Sequence, residues 1–257
     1  MPHSPDELRP LVEEYLEELE LWPSLHDQAE SVRYSIAVGG KRVRPVICLA
    51  SAEAAGAEPE AALAAGCALE LVHTFSLVHD DLPALDDDEE RRGRPSTWKR
   101  FGEAVGILAG DALLAEAFRL ATSYETTHVA RELAEATLGM IGGQYLDVTG
   151  SAPDDATLHK LKTGCLFGAA VGLALWVAGV PAEAQAPWRA FGDELGLLFQ
   201  IVDDVLDGDG YVIAHGVDGA RRLADEAADR ARERLAAVEA DTSVLREIVD
   251  GLAVRTA

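Results

Sequence analysis

Residues 77–92 read LVHDDLPALDDDEERR, and this stretch decides how the rest of the chain is interpreted. An Ala- and Leu-rich pattern with helical spacing leads into it from about Ala61, and Pro83 is expected to end that helix. Asp80 and Asp81 therefore fall near a helix C-terminus, where the helix dipole disfavours negative charge. Burying their carboxylates beside apolar neighbours costs further free energy unless a cation compensates.

A second acidic cluster favours a cation site over the simpler interpretation, a solvated acidic loop. Residues 199–207, FQIVDDVLD, again place paired aspartates in an apolar helical run. Asp203 and Asp207 are four residues apart and share a helix face, and Asp204 lies beside them. Oxygen ligands suit Mg²⁺, which commonly joins a few carboxylates to substrate phosphates. Two such helices facing each other would clamp a diphosphate.

Composition limits the classes of partner and the compartment. The 257 residues include 22 Lys and Arg against 45 Asp and Glu, and the net charge of −23 argues against nucleic acid or an anionic membrane as partner. Hydrophobic residues, at 48%, suffice for a substantial core, and without a linker-like stretch we expect one domain, residues 1–257. Cys48, Cys67 and Cys165 lack paired spacing and are predicted to be buried thiols in a reducing cytoplasm.

The apolar segments are short. The N-terminus lacks the basic region and apolar core of a signal peptide. The longest apolar run, residues 165–180, is rich in Gly and Ala and shorter than the roughly 20 residues of a membrane span. We therefore predict a buried central helix there, no membrane span and a cytoplasmic protein.

Helical periodicity extends over most of the chain. Long helical patterns cover residues 102–124 and 129–146, and no stretch shows sustained strand alternation. The predicted fold class is therefore all-α, with roughly ten helices around a central cavity. The polar positions Gln144 and Asp147 within these helices are expected to have hydrogen-bonded structural roles.

The acidic motifs, together with several others, resemble those of the trans-isoprenyl diphosphate synthases, also called polyprenyl synthetases. Residues 80–86 resemble that family's first aspartate-rich motif, and residues 203–207 resemble the second. Further matches follow in the family's order: GGKRVRP at 39–45, RRG at 91–93, KTG at 162–164 and FQ at 199–200. Several motifs in order, over about residues 34–207, are far more specific than any one of them. The resemblance implies the isoprenoid synthase fold and a homodimer.

The resemblance also implies a reaction. An allylic diphosphate would condense head-to-tail with isopentenyl diphosphate and release pyrophosphate. Mg²⁺, as three ions with substrate bound, would neutralise the leaving pyrophosphate, and an apolar cavity would keep water from the allylic carbocation. Six aspartates would hold the metal: Asp80, Asp81, Asp86, Asp203, Asp204 and Asp207.

Substrate-binding roles follow from the same resemblance. Four residues would hold the diphosphate of isopentenyl diphosphate: Lys41, Arg44, His73 and Arg92. Two would contact the allylic diphosphate: Arg91 and Lys162. Two would place oxygens near the developing carbocation: Thr163 and Gln200. Without the resemblance, the basic turn is as readily ordinary surface, and a lone helical histidine is more often a core residue.

Product length is predicted from Phe75, which lies five residues before Asp80, about 7.5 Å along a helix axis. In the family, an aromatic residue at this position tends to form the floor of the cavity and to stop elongation near C15. The resemblance therefore favours farnesyl diphosphate, with geranylgeranyl diphosphate next. The alternative is that Phe75 packs between helices without touching the product.

Two departures from the family's pattern keep other functions open. Trp98 stands where the family usually has histidine, and residues 208–220 contain no Lys or Arg where the family has a lysine-containing loop. A catalytically weak or silent partner subunit of a synthase is one alternative, although the intact aspartate motifs argue against it. A terpene cyclase is another, but it would not need basic residues for a second diphosphate. We expect the short loop to weaken allylic binding without abolishing catalysis.

Overall fold

The computed structural model describes residues 2–256, and this part of the chain is almost wholly helical, as predicted. Its α-helices are α1 Pro5–Glu18, α2 Gln28–Ala37, α3 Val43–Ala54, α4 Leu63–Asp80, α5 Thr97–Phe101, α6 Glu103–Ala121, α7 His128–Thr149, α8 Asp155–His159, α9 Cys165–Val177, α10 Ala186–Asp207, α11 Gly210–Ala236 and α12 Ser243–Ala253. Short 3₁₀ turns cover Pro23–Leu25, Pro59–Ala62, Ala182–Ala184 and Val254–Thr256. The helices outnumber the predicted ten because α5 and α8 have only five residues each.

Helix α4 ends at Asp80, where the sequence predicts its end. Beyond the acidic loop lies a hairpin that the sequence analysis missed, β1 Glu90–Arg91 paired antiparallel with β2 Arg94–Pro95. Its two turn residues, Arg92 and Gly93, both have positive φ, at 54° and 75°. Such turns join strands with the natural twist, and two-residue strands are too short to show alternation in a sequence.

The core is formed around α4, α9 and α10. Helix α9 packs against α3, α7 and α10, while α4 packs between α3 and α6. The run predicted as a buried central helix corresponds to α9, in which Phe167 and Leu173 are fully buried. Cys48 and Cys67 are buried and Cys165 is half-buried, and all three are free thiols.

Two helical stretches of the described chain are long and apolar enough to cross a membrane by length and composition, Pro59–Asp80 and Asp155–Val177. In their most apolar windows, 67% and 50% of the residues are buried inside the protein. Core helices have the same composition, so these two criteria do not by themselves assign either stretch to a membrane.

A π-helical turn, Lys160–Gly164, joins α8 to α9. Turns of this kind are rare and frequently lie at functional sites. Helix α7 passes so close to it that a Cβ on Gly143 would lie 2.5 Å from the backbone nitrogen of Lys162. Glycine at this position therefore sets how near the π-turn lies to α7.

Replacing Gly143 by Ala is expected to lower the free energy of unfolding by about 1–3 kcal/mol, because the new methyl group must displace backbone rather than a flexible side chain. Gly142→Ala is the matched control, since a Cβ there meets nothing within 4 Å. That variant is expected to gain about 0.5–1 kcal/mol of stability from the higher helix propensity of alanine. Urea unfolding of the two variants measures the difference, and equal effects would contradict the close contact.

Candidate active site

A cavity of about 910 Å³ opens between α4, α7, the π-turn and α10. The basic turn at residues 40–44 and the hairpin arginines contribute its cationic lining. Helix α7 contributes a mainly apolar wall that includes Met140, Ile141 and Val148. The cavity therefore combines charged groups with a surface suited to a hydrocarbon chain.

Most residues singled out from the sequence line this one cavity. They are Lys41, Arg44, His73, Phe75, Asp80, Arg91, Arg92, Lys162, Thr163 and Asp203. They come from segments that are far apart in the chain, so the fold brings them together. Phe75 is buried at the cavity wall and packs edge-on against His79, with ring centroids 5.3 Å apart.

Asp81 is directed away from the cavity lining and is almost fully buried. It accepts a hydrogen bond of 3.0 Å from Nε of Arg91 and a second one from Nη2 of the same arginine. Burial raises the pKa of Asp81, and the Arg91 guanidinium opposes that rise. In this structure, therefore, Asp81 and Arg91 neutralise each other.

Asp204 and Gln200 also do not line the main cavity. The Gln200 amide donates to Oδ1 of Asp204 at 2.6 Å, and the backbone N–H of Tyr211 donates to Oδ2 at 2.9 Å. Asp204 thus satisfies a backbone donor in the first turn of α11. Gln200 lines a separate cavity of about 360 Å³ behind the π-turn.

The segment after the second acidic motif is a helical turn rather than a loop. Helix α11 begins at Gly210, only three residues after Asp207, and kinks at Gly216, where φ is 70° and ψ is 163°. Gly210 has a φ of 40°, and a Cβ there would lie 2.1 Å from Oδ2 of Asp204. Glycine therefore allows the close approach of Asp204. Asp207, like Asp86, is exposed and outside the cavity lining.

Asp80 and Asp203 present carboxylates to the cavity, and no side chain among residues 2–256 donates a hydrogen bond to either. Burial raises the pKa of Asp80 to about 6, although Lys162 opposes the shift. Burial and the neighbouring Asp207 raise the pKa of Asp203. Nearby cations oppose these shifts only in part: Lys162 and Arg91 for Asp80, and Lys41 and Arg44 for Asp203. Carboxylates that accept no side-chain hydrogen bond within residues 2–256 are available as ligands to an external cation.

Metal-ligand geometry is not preformed by the protein side chains. Within the described chain, no three His, Cys, Asp or Glu side chains converge on a point suited to a metal ion. Mg²⁺ commonly takes one or two carboxylates together with substrate phosphates and waters. The two unpartnered aspartates fit that manner of binding.

Arg44 is a buried cation of the cavity lining, at 9% exposure. Its guanidinium carbon lies 4.6 Å from the centre of the Phe167 ring, and its Nε has no hydrogen-bond partner among the described residues. Burial, with Arg44 and Arg92 close by, holds the pKa of His73 well below its usual range. An anion at this position would supply the missing acceptor for Arg44.

Three residues that the sequence analysis did not assign to the site also belong to it. Glu70 and Gln144 line the cavity, and Asp147 forms an ion pair with Lys162. The expected hydrogen-bonded role fits Asp147, but it does not hold for the buried Gln144 carbonyl, which accepts no hydrogen bond within residues 2–256. Their i, i+3 spacing on α7 places Gln144 and Asp147 on one face, and this was the available sequence signal.

Comparison with known proteins identifies the family. A family model described as polyprenyl synthetase matches residues 27–215. The chain belongs to the polyprenyl synthetase family. Farnesyl diphosphate synthase of Bacillus subtilis (strain 168) is 34% identical over 275 aligned positions, covering 94% of this chain and 92% of that protein.

Other relatives are similar over shorter parts of their length. Geranylgeranyl diphosphate synthase of Cyanophora paradoxa is 44% identical over 194 residues, 69% of this chain. The match spans 64% of that relative, and only 55% of geranylgeranyl pyrophosphate synthase 11 of Arabidopsis thaliana. The chain thus spans less than two thirds of these curated relatives.

Solved structures share the whole fold. An FPP/GFPP synthase from Zymomonas mobilis has a TM-score of 0.84 at 30% identity, covering 97% of this chain and 99% of that one. A geranyltransferase from Legionella pneumophila has a TM-score of 0.83 at 27% identity, covering 99% of both chains. The predicted isoprenoid synthase fold is confirmed.

Replacing Asp80 by Asn is expected to stabilise the substrate-free protein at pH 7 by about 1–2 kcal/mol, allowing for solvent screening on the open side of the cavity. The pKa of Asp80 is raised from 3.8 to about 6 in the folded state, so ionisation opposes folding increasingly above pH 3.8 and fully above pH 6. The gain should fade as the pH falls from 6 to 4, because the folded protein then holds the proton and the penalty is lost. Thermal unfolding of wild type and D80N across this range tests the expectation, and a less stable variant at pH 7 would contradict it.

Proposed function

We propose that this protein is a Mg²⁺-dependent prenyltransferase that joins an allylic diphosphate to isopentenyl diphosphate head-to-tail, giving a short-chain prenyl diphosphate. One observation carries the proposal. Asp80 and Asp203, whose carboxylates accept no side-chain hydrogen bond within residues 2–256, line the same cavity as an apolar wall and Arg44, a buried arginine whose Nε has no acceptor there. The names of the relatives support the same activity.

The metal is part of the proposal. Asp80 and Asp203 would hold Mg²⁺, which neutralises charge on the leaving diphosphate when bound. Asp81 and Asp204 are the neighbours that would join them, together with the exposed Asp86 and Asp207. Asp81 accepts both of its Arg91 hydrogen bonds on Oδ1, and Asp204 accepts one on each oxygen, so a cation at either residue would share the carboxylate with a protein partner.

The two diphosphates would bind to different sets of cationic side chains. Arg44, Lys41, Arg92 and neutral His73 would bind isopentenyl diphosphate, with Nε of Arg44 donating to a phosphate oxygen. Lys162 and Arg91 would bind the allylic diphosphate. Both cations are paired with carboxylates of the protein, Lys162 with Asp147 and Arg91 with Asp81, so binding would exchange one anion for another.

The side chains around the hydrocarbon would guide the reaction. The allylic carbon–oxygen bond breaks, diphosphate leaves, the isopentenyl double bond attacks the cation, and the departing diphosphate takes the proton. The hydroxyl of Thr163 would face the developing charge, while the apolar residues of α7 would exclude water. Gln200 would reach this centre only by releasing Asp204.

We also propose a homodimer in the cytoplasm. Exposed apolar side chains lie along α6 and α7: Ile107, Leu108, Leu138, Ile141, Tyr145 and Val148. Three of these, Ile141, Tyr145 and Val148, line the cavity as well. A second copy covering this surface would remove it from water and close the wall of the cavity. The net charge of −23 and the free thiols support the compartment.

Purified protein is expected to condense isopentenyl diphosphate with a C5, C10 or C15 allylic diphosphate only when Mg²⁺ is present. Asp203→Ala should lower kcat at least about 10²-fold, because a main metal contact is lost. Asp193→Ala is the control, as that exposed aspartate lies on the same helix outside the main cavity. Radiolabelled product is measured. Turnover in excess EDTA would refute the metal's role, and a wild type inactive with every starter would favour the silent-subunit alternative.

Phe75→Ala is expected to lengthen the product by one or more isoprene units, because the ring forms part of the wall of the cavity that Asp80 also lines and its removal extends the apolar space. The wild-type product is expected to be farnesyl diphosphate, with geranylgeranyl diphosphate as the second possibility. Chromatography of dephosphorylated products gives the chain lengths. An active variant with unchanged product length would show that Phe75 acts only in packing.

A further inference from the structure

Arg42 lines the cavity wall, but unlike Lys41 and Arg44 its guanidinium is hydrogen-bonded to carboxylates and a carbonyl of the protein itself. It is 4% exposed, and it donates to Oε1 of Glu70 at 2.8 Å and to the two carboxylate oxygens of Glu13 at 3.0 and 3.2 Å. A fourth hydrogen bond, of 2.9 Å, reaches the carbonyl of Ile36. Arg42 thereby ties together α1, the end of α2 and α4.

The backbone of Arg42 is strained. Its φ of 48° and ψ of 34° place it in the left-handed region, which residues other than glycine rarely adopt. It directly precedes α3. Lys41 before it and Arg44 two residues after it line the cavity, and Arg42 itself lies at the cavity wall. Because four hydrogen bonds hold the side chain of Arg42, the turn keeps this conformation.

Glu70 links the network to the site. It is 5% exposed, lines the cavity and lies three residues before His73 on α4. Its negative charge opposes the lowering by burial of the pKa values of Arg44 and Arg92. The same carboxylate therefore anchors Arg42 and stabilises two cations that would face a diphosphate.

We infer that Arg42, through Glu13 and Glu70, is a positioning residue for the isopentenyl diphosphate subsite. It does not touch the substrate. It fixes the left-handed turn from which Lys41 and Arg44 reach the diphosphate, and it does not act on the allylic subsite at Lys162 and Arg91. The assignment of this subsite rests on the proposed function.

Kinetics with both substrates test the role. Glu13→Gln, which alters a carboxylate outside the cavity lining, is expected to raise the KM for isopentenyl diphosphate about tenfold. Arg42→Gln should raise it about a hundredfold, and Arg42→Lys should restore part of the loss because it keeps the charge without the planar fork. The KM for the allylic substrate and kcat should change less than about threefold.

Arg189→Gln is the matched control. Arg189 forms a two-bond ion pair with Glu132, at 2.8 and 2.9 Å, and does not line the main cavity. This variant should lose stability as Arg42→Gln does, yet leave both KM values unchanged. If the Glu13 and Arg42 variants raise both KM values equally, or neither, the network is only structural and the inference is wrong. Glu13→Gln keeps the test decisive even if Arg42→Gln does not fold.

Binding of inorganic pyrophosphate, followed calorimetrically without Mg²⁺, separates this inference from the proposed function. A wild type that binds pyrophosphate but condenses no substrates would refute the proposed reaction, and weaker binding by Glu13→Gln would still support the role of Arg42. A wild type that condenses substrates, with variants that bind and react normally, would overturn the inference alone. A wild type that neither binds nor reacts would overturn both.

Discussion

Charged groups without hydrogen-bond partners, gathered around one cavity, are the constraint on which the rest of the structure depends. Asp80 and Asp203 have no donor, and Nε of Arg44 has no acceptor, within the described residues. Of these three groups only Arg44 is buried, where an unsatisfied charge is costly, while Asp80 is half-buried and Asp203 exposed. Two nearby ion pairs, Arg91 with Asp81 and Lys162 with Asp147, neutralise four further charges of the site. The hydrophobic core, to which helices from α1 to α12 contribute buried apolar side chains, supplies the stability that offsets the cost of these charges.

Positions of the charged groups are set by backbone features that are individually unfavourable. Arg42 and Arg92 both adopt positive φ, and the π-turn interrupts the regular helix that carries Lys162 and Thr163. Each feature lies directly beside a cavity residue. Local strain of this kind persists only where surrounding packing holds it, as the carboxylates of Glu13 and Glu70 do for Arg42. The positions of the cavity residues therefore depend in part on α1, which contributes Glu13 but no residue of the cavity lining.

The sequence predicted the fold class, the end of α4 at Asp80 and the cavity position of most site residues, because Pro83, helical periodicity and ordered motifs are local signals. It did not predict which aspartate of each pair faces the cavity. Successive helical residues point about 100° apart, and packing decides between them. The hairpin turn at Arg92 and the ion pair of Arg42 with Glu70 depend on tertiary contacts. Sequence spacing does not predict such contacts.

Asp204 accepts a hydrogen bond from the first turn of α11, and this contact connects the acidic motif to the start of that helix. A cation bound at Asp204 would share the carboxylate with the Tyr211 amide and the Gln200 side chain. It would draw electron density from the oxygen that accepts from Tyr211, in a turn that lies between glycines at 210 and 216. The hydrogen bond would weaken, and hydrogen exchange of the Tyr211 amide is expected to report it. The short connection after Asp207 would thus link the charge of the site to the flexibility of one helix end.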